Sequence, residues 1–437
     1  MLLAACEDDE EDVNLPEEPD AMLNLRVEAA EGQSLPEGYA HLFVFDADDV
    51  LAAQFSYSSL DELQRSFKPT DAGSHTYLLV MNVGADFMLP ETRASLTGVT
   101  LSEFLQRLEL LAGEHSDIST GIVRVSLEEG RIAQATIEMQ TGIVRLAVLE
   151  LMLSLPTAAF PPYAEEAETR SVVEGYALRC VAEVWQSGGR NRLLHHVLLP
   201  TGMNTDSRPI VRLENLPLQA CEIVLWADYV PEGQSEDHHY ATSDLEALTF
   251  NPNVEYAAGV DTRTAYAARF SVDLSAGGTV AHVVEMERPF ARYRIVATDL
   301  RRYEQMQGVN DFPAWEDIEV RARYTSYFPS SYNVPEDRPN NAVMGHAYRC
   351  APVADTDSTV QLATDYIWVD LTDSSVRLDL ALTDRRTGDT ISLATNLHIP
   401  YRRGYLTTLS GDFLTAGKSS GSITVDDRWE GEYNVMF

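Results

Sequence analysis

Short apolar runs recur along the whole chain and are separated by clusters of Gly, Asp, Asn and Pro. Ala40–Phe45, Tyr77–Met81 and Glu222–Trp226 are almost continuously apolar, which is typical of strands buried on both faces. Val376–Leu382 alternates apolar and polar residues, as a strand with one buried and one solvated face does. The pattern predicts an all-β protein built from antiparallel β-sandwich modules.

Helical signals are few and short. Three capping boxes, in which a Ser or Thr precedes a Glu by three positions, predict helices of a few turns: Ser59 with Glu62, Thr100 with Glu103, and Ser243 with Glu246. Because strands and helices do not alternate regularly, a parallel sheet is not expected.

A strand-turn-strand pattern occurs twice, at 123–139 and at 268–286, with a weaker third copy near the C-terminus. The repeat predicts three β-sandwich modules, over residues 22–141, 142–287 and 288–437, after an N-terminal segment of residues 1–21. In the alternative interpretation, the second and third modules form one enlarged domain.

The chain is strongly acidic. Of its 437 residues, 32 are Lys or Arg and 68 are Asp or Glu, so the net charge is −36. Nucleic acid is therefore not an expected partner, because phosphate binding needs a basic surface. No apolar run is long enough to span a bilayer as a helix.

The N-terminus carries a different membrane signal. Leu3-Ala4-Ala5-Cys6 is similar to the lipobox of bacterial lipoproteins, which predicts a lipid on Cys6 that holds the chain in the outer membrane. Glu7, Asp8, Asp9 and Glu10 follow at once, within an acidic run that predicts an extended tether and resembles a surface-export signal. A solvated spacer facing the periplasm is the alternative.

Other candidate chemistry is sparse. If Cys6 is acylated, three cysteines remain, which favours free thiols, although pairing of Cys180 with Cys221 stays open. The sequence contains no hydrolase elbow, phosphate-binding loop, dinucleotide fingerprint or zinc-protease motif. We therefore predict no catalytic residue, no metal site, no cofactor and no enzyme activity.

Three segments resemble the fimbrillin-like surface lipoproteins of Bacteroidetes: Trp226–Val230, Arg288–Asp299 and Ile399–Thr415. Leu42–Ala47 and Tyr77–Asn82 resemble the FimB-type branch, which supplies fimbrial anchor and accessory subunits. The resemblance implies transthyretin-like sandwich modules, strand exchange with pilin subunits, and adhesion to a host protein or glycan. The first Arg or Lys is Arg26, inside a predicted strand, so trimming at a basic residue would damage the module. This favours an uncleaved anchor over a stalk subunit.

Two sets of residues are candidates for binding. The apolar C-terminal end, Tyr433, Asn434, Val435, Met436 and Phe437, is the candidate strand for exchange with a partner; an ordinary last strand of its own module is the alternative. The alternative function is that of a surface glycan-binding lipoprotein, with Trp315 and Tyr332 as candidate stacking rings. Packing of these rings in the core is the competing interpretation.

Overall fold

The computed structural model describes residues 21–30, 32–83, 98–112, 118–156, 175–188, 192–307, 312–372, 374–416 and 433–436. The chain forms two compact units, residues 1–144 and 145–437. The predicted all-β class is confirmed, because strands dominate both units and the helices of the described residues are short. None of the helices in those ranges is long and apolar enough to cross a membrane.

The first unit contains one sandwich. Its elements are β1 (Ala21–Ala29), β2 (Ala40–Phe45), β3 (Leu51–Tyr57), α1 (Leu60–Arg65), β4 (Phe67–Thr70), β5 (Gly73–Met81), α2 (Leu101–Ala112), β6 (Ser119–Leu127) and β7 (Ile132–Thr141). The strands are ordered β3-β2-β5-β6-β7-β1-β4, and a single pair, Thr120 with Gln140, connects β6 to β7. Leu23, Leu42 and Leu79 lie in its buried core.

The second unit begins with a sandwich of two four-stranded sheets. Its elements are β8 (Ala147–Ser154), β9 (Tyr176–Gln186), β10 (Arg192–Leu198), β11 (Gly202–Met203), β12 (Pro209–Leu216), β13 (Ala220–Pro231), β14 (Tyr240–Ala241), β15 (Leu248–Phe250), β16 (Tyr266–Asp273) and β17 (Gly278–Glu285). The two facing sheets are β10-β9-β13-β16 and β11-β12-β8-β17.

A further sandwich completes the second unit. Its elements are β18 (Phe290–Ala297), α3 (Leu300–Gln307), β19 (Ile318–Tyr324), β20 (Tyr327–Asn333), β21 (Arg338–Met344), β22 (Ala347–Cys350), β23 (Val353–Thr356), β24 (Thr359–Trp368), β25 (Ser374–Asp384), β26 (Thr390–Tyr401), β27 (Leu406–Gly411) and β28 (Tyr433–Met436). Its sheets are β23-β24-β18-β27-β28 and β22-β19-β25-β26, and β14-β15-β20-β21 forms a smaller sheet between the sandwiches.

The three sandwiches share one strand topology. In each, the first strand lies between an antiparallel strand and a later parallel strand: β1 between β4 and β7, β8 between β12 and β17, and β18 between β24 and β27. The parallel pairs correct the expectation of purely antiparallel sheets. These parallel strands are connected through the other strands of the same sandwich and not through a single crossover helix. The sequence therefore lacks the alternation of strands and helices that usually indicates a parallel pair. The module boundaries remain a prediction.

The capping boxes gave mixed results. The Thr100 and Glu103 side chains each accept a hydrogen bond from the other residue's backbone N–H, at 3.3 and 3.2 Å, and α2 follows. Ser59 caps α1 as predicted. No helix follows Ser243, because the Asp244 carboxylate accepts the Glu246 N–H at 2.9 Å and closes a turn instead.

A buried ion pair connects the two sandwiches of the second unit. Arg263, in a turn before β16, donates Nη1–H to Asp365 of β24 at 2.8 Å, and both side chains are fully buried. Asp365 also accepts hydrogen bonds from the Tyr256 and Tyr324 hydroxyls. The guanidinium carbon of Arg263 lies 4.3 Å from the centre of the Tyr256 ring, which adds a cation–π contact.

We predict that Asp365→Ala lowers the free energy of unfolding of the second unit by about 3–5 kcal/mol, because it leaves the Arg263 charge buried and unpaired. Urea unfolding followed by tryptophan fluorescence measures the change. The control is Glu214→Ala, which removes an exposed carboxylate 3.9 Å from Arg212, and we expect a change of about 0.5 kcal/mol or less. Equal effects of the two substitutions would contradict the structural role of the buried pair.

Candidate functional site

The C-terminal strand β28 lies at the outer edge of the sheet β23-β24-β18-β27-β28. It pairs in parallel with β27, and Thr407 is opposite Tyr433 while Ser410 is opposite Met436. The four residues Tyr433–Met436 therefore pair within their own chain, which is the arrangement of an ordinary last strand. Donation of this strand to a partner remains a prediction, and Phe437 lies outside the described residues.

The strand beside β28 is firmly fixed. Leu406 and Leu409 of β27 are buried, and its other edge pairs with β18. Thr407 donates its hydroxyl hydrogen to the Pro400 carbonyl at 2.7 Å, and the Thr408 hydroxyl accepts a hydrogen bond from Arg294 Nε at 3.0 Å. Because β27 is held on its inner side, it forms a preformed seat for a strand on its outer side.

The β28 strand is an addition to the shared topology. In the first sandwich the strand that corresponds to β27 is β7, and in the second it is β17. Within the described ranges, β17 is the last strand of its sheet, and β7 meets β6 through one pair. In the described residues, the second sandwich thus has no strand beyond this position, the first has β6 through a single pair, and the third has β28. The seat on β27 therefore holds a segment that the sandwich topology does not itself require.

The chain is tied down before it reaches β28. The Asp299 carboxylate accepts hydrogen bonds from the backbone N–H groups of Leu414 and Thr415, at 3.2 and 2.7 Å. The described chain then continues to residue 416 and is described again from Tyr433. The Asp299 contacts thus fix the point from which the C-terminal segment departs.

The Arg403 side chain fixes the turn that leads into β27. Arg403 donates Nε–H to the Arg288 carbonyl at 2.8 Å and makes two hydrogen bonds to the Asp337 carboxylate, at 2.6 and 2.8 Å. Tyr332 donates its hydroxyl hydrogen to the same carboxylate at 2.6 Å, and burial raises the pKa of Tyr332. Local sequence patterns do not predict these contacts, because the residues that make them are distant in the chain.

The proposed stacking pair is not an exposed pair. Tyr332 is fully buried in the layer between the sandwiches, beside Trp368. Trp315 is half-buried and packs against the core of the third sandwich. This corrects the expectation that the two rings form a sugar-binding surface, because a buried ring offers no free face. Packing in the core, the competing interpretation, is what the structure has.

The remaining sequence-predicted residues divide into two groups. Cys6, Glu7, Asp8, Asp9 and Glu10 lie outside the described residues. The other three cysteines are free thiols, as the odd number favoured, and burial raises the pKa of Cys180 to about 12, of Cys221 to about 11 and of Cys350 to about 12. In the described part of the chain, no group of three or more His, Cys, Asp or Glu could hold a metal ion.

Comparisons with known proteins give one family match. The model of a family of unknown function, DUF6562, matches residues 141–436, which is more than half of the chain. A search of the curated proteins finds no match.

Solved structures align with the chain at low identity. The fimbrial anchor protein Mfa2 from Porphyromonas gingivalis is 14% identical, with a TM-score of 0.33, over 57% of this chain and 83% of its own. A candidate adhesin from Bacteroides ovatus is 11% identical, with a TM-score of 0.35, over 66% of this chain and 91% of its own. A candidate polysaccharide-binding protein from Bacteroides thetaiotaomicron is 12% identical, with a TM-score of 0.35, over 57% and 80%. Similarities at this level assign no function.

The seat on β27 leads to a prediction about hydrogen exchange. Ending the chain at residue 432 removes the outer neighbour of β27, so the backbone N–H groups of Thr407–Ser410 that face β28 lose their partners. We expect amide exchange in β27 to accelerate by about tenfold or more, as measured by mass spectrometry of peptides. Peptides from β17 serve as the internal control, and unchanged exchange in β27 would contradict the seat.

Proposed function

The chain belongs to the DUF6562 family of unknown function, and we propose that it is a lipid-anchored surface protein that joins fimbrial subunits by exchange of its C-terminal strand. In this proposal it is an anchor or accessory subunit, with pilin subunits as partners and adhesion as its purpose. It acts by binding and carries out no reaction.

One observation carries the strand-exchange proposal. Among the described strands, Tyr433–Met436 pairs with β27 alone, and it occupies a position at which the corresponding sheet of the second sandwich has already ended with β17. A short edge strand makes few contacts, whereas the β27 seat beneath it is buried and hydrogen-bonded. A strand of this kind can leave its own sheet and pair with another at little net cost, because equivalent backbone hydrogen bonds form on both sides of the exchange.

The membrane attachment rests on the sequence. A lipobox-like Leu3-Ala4-Ala5-Cys6 followed by an acidic run is the combination expected of an exported, acylated chain. Several acyl chains on Cys6 supply enough buried methylene groups for stable insertion in the outer membrane, at about 0.8 kcal/mol for each CH₂. Mutual repulsion among the acidic residues Glu7–Asp12 favours the extended tether of this proposal.

We predict that Cys6→Ala moves the protein from the membrane fraction to the soluble fraction, because the acylated side chain is lost while the folded units are unchanged. Fractionation of cells and labelling with a radioactive fatty acid measure the effect. Cys350→Ala is the matched control, and we expect it to leave both membrane retention and labelling unchanged. A Cys6→Ala protein that stays in the membrane pellet would refute the lipid anchor.

A disulfide that locks β28 in place tests the exchange itself. Ser410 and Met436 are opposite each other in neighbouring strands, at a spacing that a disulfide between two introduced cysteines can span. We predict that oxidised Ser410→Cys/Met436→Cys protein no longer forms heat-labile complexes with partner subunits in gels of unboiled envelope extracts. Reduction should restore these complexes.

The single variant Ser410→Cys is the control and should form the complexes under both conditions. Complexes that persist in the locked protein would show that another strand is exchanged. If the unmodified protein forms no complexes, strand exchange as a whole is refuted, whereas the membrane test with Cys6→Ala still stands by itself.

A further inference from the structure

The outer face of the sheet β22-β19-β25-β26 carries four exposed arginines. Arg321 and Arg323 are on β19, Arg349 is on β22 and Arg377 is on β25. The alternate residues Ile318, Val320 and Ala322 of β19 lie in the hydrophobic core. We call these four arginines the basic face.

The strand register brings like charges together. Arg321 lies directly opposite Arg349 in the neighbouring strand, and Arg323 lies opposite Asp379, two residues from Arg377. Neighbouring strands are about 4.8 Å apart, and residues two positions apart on one strand are separated by about 6.8 Å. Like charges placed directly opposite each other destabilise a sheet. A bound anion would remove this cost.

The face lacks enough carboxylates to neutralise it. Glu319 pairs with Arg349 at 3.4 Å, and the Asp379 carboxylate accepts the Asn396 N–H at 2.8 Å. Over the ranges that the structure describes, no carboxylate lies within ion-pair distance of Arg321, Arg323 or Arg377. The face therefore has an excess of positive charge on a chain whose net charge is −36.

Two neighbours of Arg377 support this conclusion. Partial burial and the positive charge of Arg377 lower the pKa of His398, which lies opposite it on β26. The backbone N–H of Arg377 donates to the Ser326 hydroxyl at 2.8 Å, and its guanidinium donates Nη1–H to the Asn396 side-chain oxygen at 3.0 Å. Tyr327, which follows Ser326 directly, has 69% of its surface exposed. An exposed aromatic ring thus lies in the chain next to the contact with Arg377.

We propose that the basic face binds a linear acidic polysaccharide, with its carboxylate or sulfate groups on the arginines and a sugar ring on Tyr327. A guanidinium group offers two parallel N–H donors to a carboxylate or sulfate, so each arginine receives one anionic group. An aromatic ring stacks on the apolar face of a sugar.

The shape and charge of the face favour this ligand over others. The four side chains are spread over an open sheet face, which suits a chain with repeated charges better than a single small anion. A second copy of this protein would bring a further net charge of −36, which the like charge of this chain repels.

The test measures binding of the full-length protein to polygalacturonate by affinity electrophoresis at low salt. We expect Arg321→Gln/Arg377→Gln to weaken binding by about tenfold or more, since two charge-assisted contacts are lost. The control Arg26→Gln/Arg212→Gln removes two exposed arginines elsewhere and gives the same net charge, so we expect a change of about twofold or less. Tyr327→Ala should weaken binding to polygalacturonate and leave binding to polyglutamate unchanged.

Several results would overturn the proposal. These are no binding of polygalacturonate, equal losses in the two double variants, or polyglutamate binding as tight as polygalacturonate binding with no effect of Tyr327→Ala. The last result would identify the partner as an acidic peptide. Binding that appears only after residues 7–12 are neutralised to Gln and Asn would instead show that the chain's own acidic run occupies the face.

Discussion

The buried pair of Arg263 and Asp365 fixes the arrangement on which the second unit depends. Two charges without water are tolerated only when each has its partners, and Asp365 has the Tyr256 and Tyr324 hydroxyls in addition to Arg263. These donors come from the connection that precedes β16 and from the core of the third sandwich. The contact requires one relative position of the two sandwiches. A layer of buried apolar side chains, which includes Trp226 and Trp368, fills the space between them.

A series of contacts connects this layer to β28. Phe290 anchors the start of β18 in the layer, β18 pairs with β27, and β27 receives β28. Arg403 adds a second connection, because it joins the turn before β27 to Asp337 and to the Arg288 carbonyl. The edge strand β28 therefore pairs with a strand that is held by buried side chains and hydrogen bonds. A rigid neighbouring strand of this kind is what the proposed strand exchange requires.

The strands and the short helix caps were largely predictable, because apolar runs and capping boxes are local signals. Ser243 with Glu246 failed for a local reason as well, since Asp244 between them offers the Glu246 N–H a carboxylate and ends the turn early. The α3 helix has no capping-box signal in the sequence, because Arg302 and not Glu stands three positions after Asp299. Its carboxylate binds Leu414 and Thr415, far away in the sequence. Tyr332 was misassigned because burial in the layer between sandwiches depends on neighbours that no local pattern reveals.

The basic face, too, could not be predicted from local sequence patterns alone. Alternation along β19 predicts that Arg321 and Arg323 are solvated, but only the register places Arg349 opposite Arg321. The two proposed surfaces also depend on different forces. Backbone pairing at β27 is a ladder of neutral hydrogen bonds that salt hardly affects, whereas guanidinium contacts are screened beyond about 8 Å at physiological ionic strength. Salt therefore distinguishes the two kinds of binding. An acidic polymer would dissociate from the basic face at a salt concentration that leaves strand pairing intact.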